Sequence, residues 1–501
     1  MGGGTLPAAE TQHVLKRLLE HVHRLGLLPL LTPLLLGCSQ AGQVVGASMP
    51  ELPLPQNFQL HFNHRDSGQY RNPLNGDWRH GDNLEEQLIR QINAANEEVL
   101  MAIQELTLPQ IANALIRAKH RGVRVQVVLE NNYSSPWSEQ HPSDLSAHSR
   151  RRQQRLQRLA DSNRDGRLTA EERLAGDAIA LLKRAGIPMI DDSEDGSQGS
   201  GLMHHKFVVV DRSVVITGSA NFTSSGMHGD AGASRSRGNV NHLLSIRSSE
   251  LARLFQAEFE RMWGDGPGGE QNSQFGRSKD NRRLETIRVN GIPVKVLFTP
   301  HSKKSPGHGL IVIREQLAAA KRSIDMALFV FSDQSLTNIL AAQMAADVDI
   351  RLLADPSFAS RSFSEVLDLL GMEMPDHFCK LEADNRPLKT PLRTVGTPKL
   401  ARGDKLHHKF AVIDNKTVIT GSFNWSPAAA HTNDETLLVI ESPMLAAHFT
   451  REMNRMWRSA VLGITPRIKR KLERQRAKCG SGVTWQSIQS KANQSKEPSK
   501  S

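Results

Sequence analysis

The sequence has few cysteines, few aromatic residues and no long apolar run. Its 501 residues include three cysteines, Cys38, Cys379 and Cys479. This number excludes a disulfide-rich scaffold and gives no zinc-binding spacing, although Cys379 and Cys479 would be able to pair in an oxidising compartment. Aromatic residues make up 5% of the chain, so few side chains are available to stack on single-stranded bases. The remaining composition is that of a globular protein, for which we expect two or three domains.

The longest apolar run, Leu25–Leu36, lies near the N-terminus and follows three basic residues. It is too short to span a bilayer but has the length of a signal-peptide core. The run ends in Leu-Leu-Gly-Cys at Cys38, which resembles the lipobox of bacterial lipoproteins. We therefore predict a signal peptide over residues 1–38, an extracytoplasmic location in the cell envelope, and a lipid anchor on Cys38. An amphipathic leader, or a start codon assigned too early, would leave the same pattern.

Positive charge exceeds negative charge, and the formal net charge is +11. This balance favours anionic partners such as phospholipid headgroups, phosphoesters or nucleic acid. Part of the excess lies in residues 463–501, which we predict to form a basic, disordered tail, although its basic residues continue a helical stretch that follows Trp457. Its charges would either contact phosphate and anionic lipid or form a solvated face. The basic residues of this segment are Arg467, Lys469, Arg470, Lys471, Arg474, Arg476 and Lys478.

The chain contains an internal duplication. Gln59–Trp263 and Val294–Trp457 show the same order of apolar strands and amphipathic helices, and both end in Met-Trp. This alternation predicts an α/β fold with two pseudo-symmetric repeats, each a mixed β-sheet with helices on both faces. The predicted domains are repeat one at 55–265 with an insertion at about 149–185, a linker at 266–285, and repeat two at 286–462.

Both repeats carry the same polar motif, H-x-K-x4-D followed by G-S-x-N, on consecutive predicted strands. Side chains at i and i+2 of a strand share a face, so histidine and lysine project together while His205 and His408 point away. The serine and asparagine of the next strand share a face in the same way. Two copies facing each other would form one phosphate-binding site. The motif residues are His204, Lys206, Asp211, Ser219 and Asn221, and His407, Lys409, Asp414, Ser422 and Asn424.

This set of side chains suits in-line displacement at phosphorus. One histidine attacks and forms a phosphohistidine, while the other protonates the leaving oxygen and then activates water. An unperturbed imidazole pKa of about 6.5 allows one histidine to be neutral and the other charged. The lysines and asparagines stabilise charge on the non-bridging oxygens. Asp211 and Asp414 fall in the turn after each motif strand, where a structural role is at least as well supported as a chemical one.

The double motif resembles the phospholipase D superfamily, and the resemblance covers nearly all of residues 59–460. It implies a phosphodiesterase that needs no metal or other cofactor for catalysis, with one active site at the interface of the two repeats. It also implies that His204 is the nucleophile and His407 the general acid and base. Because one chain supplies both half-sites, we expect a monomer.

The two repeats differ at one position of the predicted site. Aligning the strands that follow the motifs pairs Glu435 with Asn241. A carboxylate raises the pKa of a partner histidine and an amide does not, so Glu435 beside His407 would make His407 the acid. In that arrangement Glu435→Gln would lose the basic limb of the pH–rate profile early. A contact across the repeats would leave the reverse assignment of roles open, and Asp230 would be able to supply a carboxylate in repeat one.

The insertion contains a loop that matches the EF-hand pattern over residues 161–172, with oxygen ligands at positions 1, 3, 5, 9 and 12 and glycine at position 6. We predict a structural calcium ion. EF-hands usually occur in pairs and this one is alone, so we expect weak affinity; a degenerate surface loop is the alternative. The predicted ligands are Asp161, Asn163, Asp165, Thr169 and Glu172, with Arg167 contributing its backbone carbonyl.

The resemblance leaves the phosphodiester unnamed, because related folds act on different substrates. We favour hydrolysis of phospholipid headgroups at a membrane surface, which a lipid anchor and a basic tail would assist. The alternative is an extracytoplasmic nuclease that cleaves DNA or RNA, which the positive charge permits. A non-catalytic scaffold that binds lipid or DNA is a third hypothesis, and the intact histidines and lysines argue against it.

Overall fold

A computed structural model describes residues 51–193, 201–230, 233 and 235–480. The predicted signal peptide, Cys38 and residues 481–501 lie outside the described residues. In the described part of the chain, no helix combines the length and apolar character needed to cross a bilayer.

The first repeat is a mixed β-sheet covered by helices. It contains β1 (Phe58–Phe62), β2 (Gln69–Arg71), β3 (Trp78–His80), α1 (Leu84–Asn93), β4 (Glu98–Ile103), α2 (Pro109–His120), β5 (Arg124–Leu129), α3 (Ala147–Ala160), α4 (Ala170–Ala175), α5 (Ala178–Arg184), β6 (Met189–Asp191), β7 (Lys206–Val210), β8 (Val214–Gly218), α6 (Ser224–Met227), β9 (His242–Arg247) and α7 (Ser249–Trp263). Seven strands pair in the order β1-β9-β8-β7-β4-β5-β6, and β2 pairs with β3. β4, β5 and β6 are parallel, and the other neighbours in the large sheet are antiparallel.

The second repeat has the same plan. It contains β10 (Glu285–Val289), β11 (Ile292–Thr299), α8 (Gly309–Ala318), β12 (Ser323–Leu328), α9 (Gln334–Ala345), β13 (Asp349–Ala354), α10 (Glu365–Leu369), β14 (Val395–Thr397), β15 (Lys409–Ile413), β16 (Thr417–Gly421), α11 (Pro427–His431), β17 (Glu435–Glu441), α12 (Pro443–Trp457), β18 (Val461–Leu462) and α13 (Pro466–Cys479). Its nine strands pair in the order β10-β11-β17-β16-β15-β12-β13-β14-β18.

The seven central strands of this sheet repeat the order of the first sheet, with β10 and β18 added at the two edges. One apolar core is shared by both repeats and includes Phe207 and Phe255 from the first and Phe410 and Phe449 from the second. Separate cores lie beneath α1 and α2 in repeat one and beneath α8 and α9 in repeat two. The predicted fold class is therefore confirmed, and the shared core fixes the two motif strands relative to each other.

For residues 463–480, the structure corrects the prediction of a disordered tail over residues 463–501. Residues 466–479 form α13, whose first turn is capped by the Thr465 hydroxyl, which accepts the Ile468 N–H. Ile468 is buried in the core of repeat two. Cys479 forms a disulfide with Cys379, with their Cα atoms 5.5 Å apart. The density of basic residues concealed a short apolar stripe that packs the helix onto repeat two.

The predicted linker at 266–285 is more than a spacer. It includes buried Lys279, whose ammonium lies 2.5 Å from Glu258 Oε1 and 2.5 Å from Asp434 Oδ1. Glu258 belongs to repeat one and Asp434 to repeat two, so this lysine connects the repeats through paired buried charges.

Candidate active site

The two motif histidines precede β7 and β15 and meet at the interface of the repeats. The His204 N–H donates to the Asp434 carbonyl at 3.0 Å, and the His407 N–H donates to the Val240 carbonyl at 3.1 Å. Each histidine backbone is thus held by the opposite repeat. His204 and His407 are 5% and 8% exposed, so both lie in an almost closed site.

The carboxylate in the site supports His204. Glu435 Oε2 accepts from His204 Nδ1 at 2.7 Å and from the Ser422 hydroxyl at 2.6 Å. Our first expectation, that Glu435 bonds His407, is wrong; the arrangement across the repeats is the one that forms. When Glu435 is ionised it can only accept, so Nδ1 of His204 then carries the proton and Nε2 is left with its lone pair.

An amide supports the second histidine. His407 Nδ1 lies 3.0 Å from the Ser219 carbonyl and 3.0 Å from Asn241 Oδ1. The amide orientation is set because Asn241 Oδ1 also accepts from the Ser219 hydroxyl at 2.8 Å, while its Nδ2 donates to the Gly226 carbonyl. Asn241, rather than Asp230, therefore occupies the position behind His407.

Burial and nearby ammonium groups control the titration of the site. Burial, together with Lys206 and Lys409, holds the pKa of both His204 and His407 well below the usual value. Burial raises the pKa of Glu435 to about 7, while the two lysines oppose this shift by favouring the carboxylate. Neutral imidazoles suit a nucleophile, and a bound phosphate would raise the proton affinity of the histidine that must act as acid.

The motif lysines are fully buried beside the histidines. Lys206 Nζ donates to the His204 carbonyl at 2.7 Å, and Lys409 Nζ donates to the His407 carbonyl at 2.7 Å. Burial lowers the pKa of Lys206 to about 7 and moves the pKa of Lys409 well below its usual value. A phosphodiester anion at this position would restore their charge, so substrate binding and lysine protonation are coupled.

The side-chain amides of Asn221 and Asn424 are not fully hydrogen-bonded within the described residues. Asn221 Nδ2 donates to Gln104 Oε1 at 3.2 Å, and Lys206 Nζ donates to the same oxygen at 3.2 Å. Within the described residues, the Oδ1 atoms of both asparagines are buried and have no hydrogen-bond partner. Gln104 was not among the predicted site residues. It is the polar residue directly after the buried strand β4, and this position in the sequence would have indicated it.

The motif aspartates lie in turns at the far ends of β7 and β15. Asp211 has a φ of 48° and Asp414 a φ of 54°. Asp211 Oδ1 accepts the backbone N–H groups of Asn96, Glu97 and Glu98 at 3.1, 2.8 and 3.0 Å. Asp414 Oδ1 accepts the equivalent groups of residues 321–323. Their contacts are those of backbone caps, in agreement with the structural interpretation.

The comparisons with known proteins agree with this geometry. The family described as cardiolipin synthase, PLD-like domain, matches residues 88–263 and 313–457, which are the two repeats. The chain belongs to this phospholipase D-like family. A mitochondrial cardiolipin hydrolase of Xenopus laevis is 29% identical over 146 residues, which cover 28% of this chain and 58% of that protein. A phospholipase D of Rickettsia conorii is 31% identical over 156 residues, which cover 31% of this chain and 65% of that protein.

The matches thus span somewhat more than half the length of these curated relatives. A solved structure supports the whole two-repeat fold: phosphatidylserine synthase of Haemophilus influenzae superposes with a TM-score of 0.51. It is 11% identical, and the superposition covers 85% of this chain and 94% of that one. At this identity the likeness concerns the fold.

The two walls of this phospholipase D-like site differ in chemistry. Gln104 follows β4, and Phe329 stands at the equivalent position after β12. The Phe329 ring centroid lies 4.6 Å from that of His407 and 5.0 Å from Lys409 Nζ. On the other side, Glu105 pairs with Arg152 from α3 at 2.7 Å. Lys206 therefore has a polar neighbour in repeat one, and His407 has an aromatic neighbour in repeat two.

The EF-hand-like loop joins α3 to α4. Part of its backbone has the conformation that the sequence predicts. Arg164 and Gly166 have φ values of 60° and 79°, and Asp161 Oδ1 is buried without a hydrogen-bond partner. The other carboxylates accept local hydrogen bonds. The Thr169 N–H and the Ser162 hydroxyl lower the pKa of Glu172 to about 2. Among the described residues, no three His, Cys, Asp or Glu side chains converge as a metal-binding group, so calcium would have to replace these contacts.

Proposed function

We propose that the chain hydrolyses the headgroup phosphodiester of phospholipids through a phosphohistidine intermediate on His204. The observation that carries this proposal is the opposed pair of buried histidines, each with its Nδ1 engaged by the other repeat. Both are thereby left to act through Nε2. Relatives named cardiolipin hydrolase and phospholipase D support a lipid substrate.

In the first step, Nε2 of His204 attacks phosphorus and the bond to the headgroup oxygen breaks. His407, protonated once the phosphate anion is bound, gives its Nε2 proton to the leaving oxygen. In the second step, His407 takes a proton from water, the hydroxide attacks phosphorus, and the phosphorus–nitrogen bond breaks to restore His204. Lys206 and Lys409 neutralise the non-bridging oxygens in both steps, in a site that excludes bulk water.

The test is hydrolysis of phosphatidylcholine, cardiolipin and single-stranded DNA by the purified chain in EDTA. We expect lipid hydrolysis that survives EDTA, and we expect His204→Ala to lower it by about 10³-fold or more. Exposed His80 provides a matched control, because His80→Ala removes an imidazole that belongs to neither motif. Cleavage of DNA alone would favour the nuclease, and loss of activity in EDTA would contradict the metal-independent mechanism. Binding without turnover would favour the scaffold.

We also infer a structural calcium ion in the 161–172 loop. The supporting observations are the positive φ values and the unpartnered Asp161 Oδ1. An ion bound only by the folded state raises the melting temperature by mass action. We expect a calcium-dependent rise in melting temperature that Asp161→Asn with Glu172→Gln abolishes. No shift at millimolar calcium would contradict the proposal.

We infer that the chain works as a monomer outside the cytoplasm, anchored through Cys38. The Cys379–Cys479 disulfide supports an oxidising compartment, and the presence of both half-sites in one chain supports the monomer. Cys38→Ser should release the protein from the membrane fraction, and analytical ultracentrifugation should give the mass of one chain. Retention of Cys38→Ser in membranes, or a stable dimer, would count against these inferences.

A further inference from the structure

Helix α13 forms a basic ridge along one side of repeat two. Seven of its 14 residues are lysine or arginine and one is acidic. Ile468, the partly buried Leu472 and Cys479 face the repeat, and the disulfide from Cys479 to Cys379 joins the end of the helix to it. The charges are consequently held in place on a folded surface.

Several positive charges on this ridge are not paired with carboxylates of the described residues. Within the described residues, no carboxylate forms an ion pair with Arg467, Lys471 or Arg474. Burial and the charges of Arg361, Arg467 and Arg474 lower the pKa of Lys471. A cluster of like charges of this kind repels itself, and an anionic partner would relieve that repulsion.

Large apolar side chains are exposed at both ends of the ridge. Ile464 comes directly before the cap of α13 and is 47% exposed, while Phe378 is 69% exposed. Phe378 follows His377, whose carbonyl accepts from Lys478 at 2.6 Å near the end of the helix. Phe363, two residues after Arg361, is 41% exposed. Apolar groups beside a dense basic array are typical of surfaces that lie in the headgroup region of a membrane.

The ridge is connected to the active site through the segment 355–361. Lys471 Nζ donates to the Ser360 carbonyl at 2.7 Å, and Arg467 Nε donates to the Ser360 hydroxyl at 3.2 Å. Phe358 of the same segment packs on Phe329, with ring centroids 4.5 Å apart. Phe329 in turn packs on the imidazole of His407. A lipid surface bound at the ridge would therefore lie on the leaving-group side of the site.

We propose that α13 and the exposed side chains of Phe363, Phe378 and Ile464 dock the enzyme on the surface of an anionic phospholipid bilayer. The inference rests on the proposed function for the choice of a lipid partner and adds the location of the contact. The arginines and lysines bind headgroup phosphates, while the apolar side chains enter the headgroup region. Each basic residue near such a surface strengthens binding several-fold, so reversing three charges weakens it by about 10²-fold.

The test measures sedimentation with vesicles of phosphatidylcholine, with and without phosphatidylglycerol, for full chains that carry His204→Ala. We expect binding that requires phosphatidylglycerol and that Arg467→Glu, Arg470→Glu and Arg474→Glu together weaken by about 10²-fold. The matched control is Arg253→Glu, Arg283→Glu and Arg288→Glu. These residues are exposed, and Arg288 lies on β10, the edge strand opposite β14 and β18. The control should bind like the parent chain.

Two further measurements separate docking from folding and from catalysis. The melting temperature of the ridge variant should match that of the control, and Phe378→Ser should weaken vesicle binding with all charges kept. In active chains, the ridge variant should lose hydrolysis of vesicle lipid but retain hydrolysis of a water-soluble phosphodiester. Equal vesicle binding by ridge and control variants would overturn docking. Intact vesicle binding without lipid hydrolysis would instead overturn the proposed function and leave docking standing.

Discussion

Glu435 and Asn241 occupy equivalent positions in the two repeats but place different groups behind the two histidines. Glu435 lies on β17, and Asn241 directly precedes β9, the matching strand. In the proposed mechanism, the carboxylate would stabilise the positive charge that develops on His204 when it attacks phosphorus. The amide fixes the orientation of His407 without raising its proton affinity, so His407 gives up a proton readily. We therefore expect this one difference between the repeats to separate the roles of nucleophile and acid.

Replacing the carboxylate should affect the nucleophile. Glu435→Gln is expected to lower kcat by about 10²–10⁴-fold, because the amide no longer enforces the Nδ1–H tautomer of His204. Removing the negative charge also lowers the pKa of His204, so the acidic limb of the pH–rate profile should move to lower pH. The profile of purified variants on one lipid substrate measures both effects.

Asn241→Asp is the matched variant, because it places a carboxylate behind His407 instead. It should keep the acidic limb and move the basic limb to higher pH, since the proton of His407 is then lost later. If Glu435→Gln moved only the basic limb, Glu435 would act on His407 and the assignment above would be wrong.

At the scale of the element, the motif aspartates hold the turn after the motif strand. The Asp211 carboxylate accepts three consecutive backbone N–H groups at the start of β4. Although burial alone would raise it, these contacts lower the pKa of Asp211 overall. A carboxyl with a depressed pKa stabilises the fold above its unfolded-state pKa, and this contribution is lost as the pH falls through the folded-state value.

Asp211→Ala should therefore destabilise the protein by about 1 kcal/mol, because it removes the acceptor of three backbone N–H groups, of which only that of Glu98 is partly buried. Asp211→Asn should cost less, because its Oδ1 still accepts and asparagine tolerates positive φ. Urea denaturation measures the difference, and activity per folded molecule should stay close to that of the parent. A loss of kcat in Asp211→Asn with unchanged stability would restore a chemical role to this residue.

The disulfide between α13 and residue 379 closes a separation of 100 residues. Such a link restricts the unfolded chain, so Cys379→Ser should lower the free energy of unfolding by about 2–4 kcal/mol. It should also free the end of α13 and weaken binding to anionic vesicles. Cys38→Ser is the control and should leave the free energy of unfolding unchanged. Equal denaturation midpoints for the oxidised and reduced parent would show that the disulfide has no such role.

The elements of the sheet were predictable from sequence because their apolar runs recur in both repeats, as in β4 and β12. The packing of helix α13 on repeat two was not, because seven basic residues outweigh the few apolar contacts that hold it there. Its capping signal, Thr465 followed by proline, is local and does not reveal whether a helix will find a surface to pack on.

At the scale of the whole molecule, the pseudo-symmetry explains what sequence patterns could predict of the site. Strand parity placed His204 and Lys206 on one face, and the duplication implied a shared site. Parity is a local rule, however, and the contact from His204 to Glu435 joins residues 231 positions apart. Only packing of the repeats through their common core decides that each histidine takes its partner from the opposite repeat. The same packing sets Phe329 against His407, which no local pattern indicated.

The separate roles proposed for His204 and His407 predict that variants of these two residues behave differently with an activated substrate. Bis(p-nitrophenyl) phosphate releases p-nitrophenolate without needing a proton, so His407→Ala should still be attacked by His204. Its second step lacks a base for water and should slow by about 10²–10⁴-fold. We therefore expect a burst of one p-nitrophenolate per molecule and a phosphoryl adduct on His204, detected by mass spectrometry under conditions that preserve phosphoramidates. His204→Ala should show neither. An adduct on His407 in the His204→Ala variant would reverse the roles and place the nucleophile in repeat two.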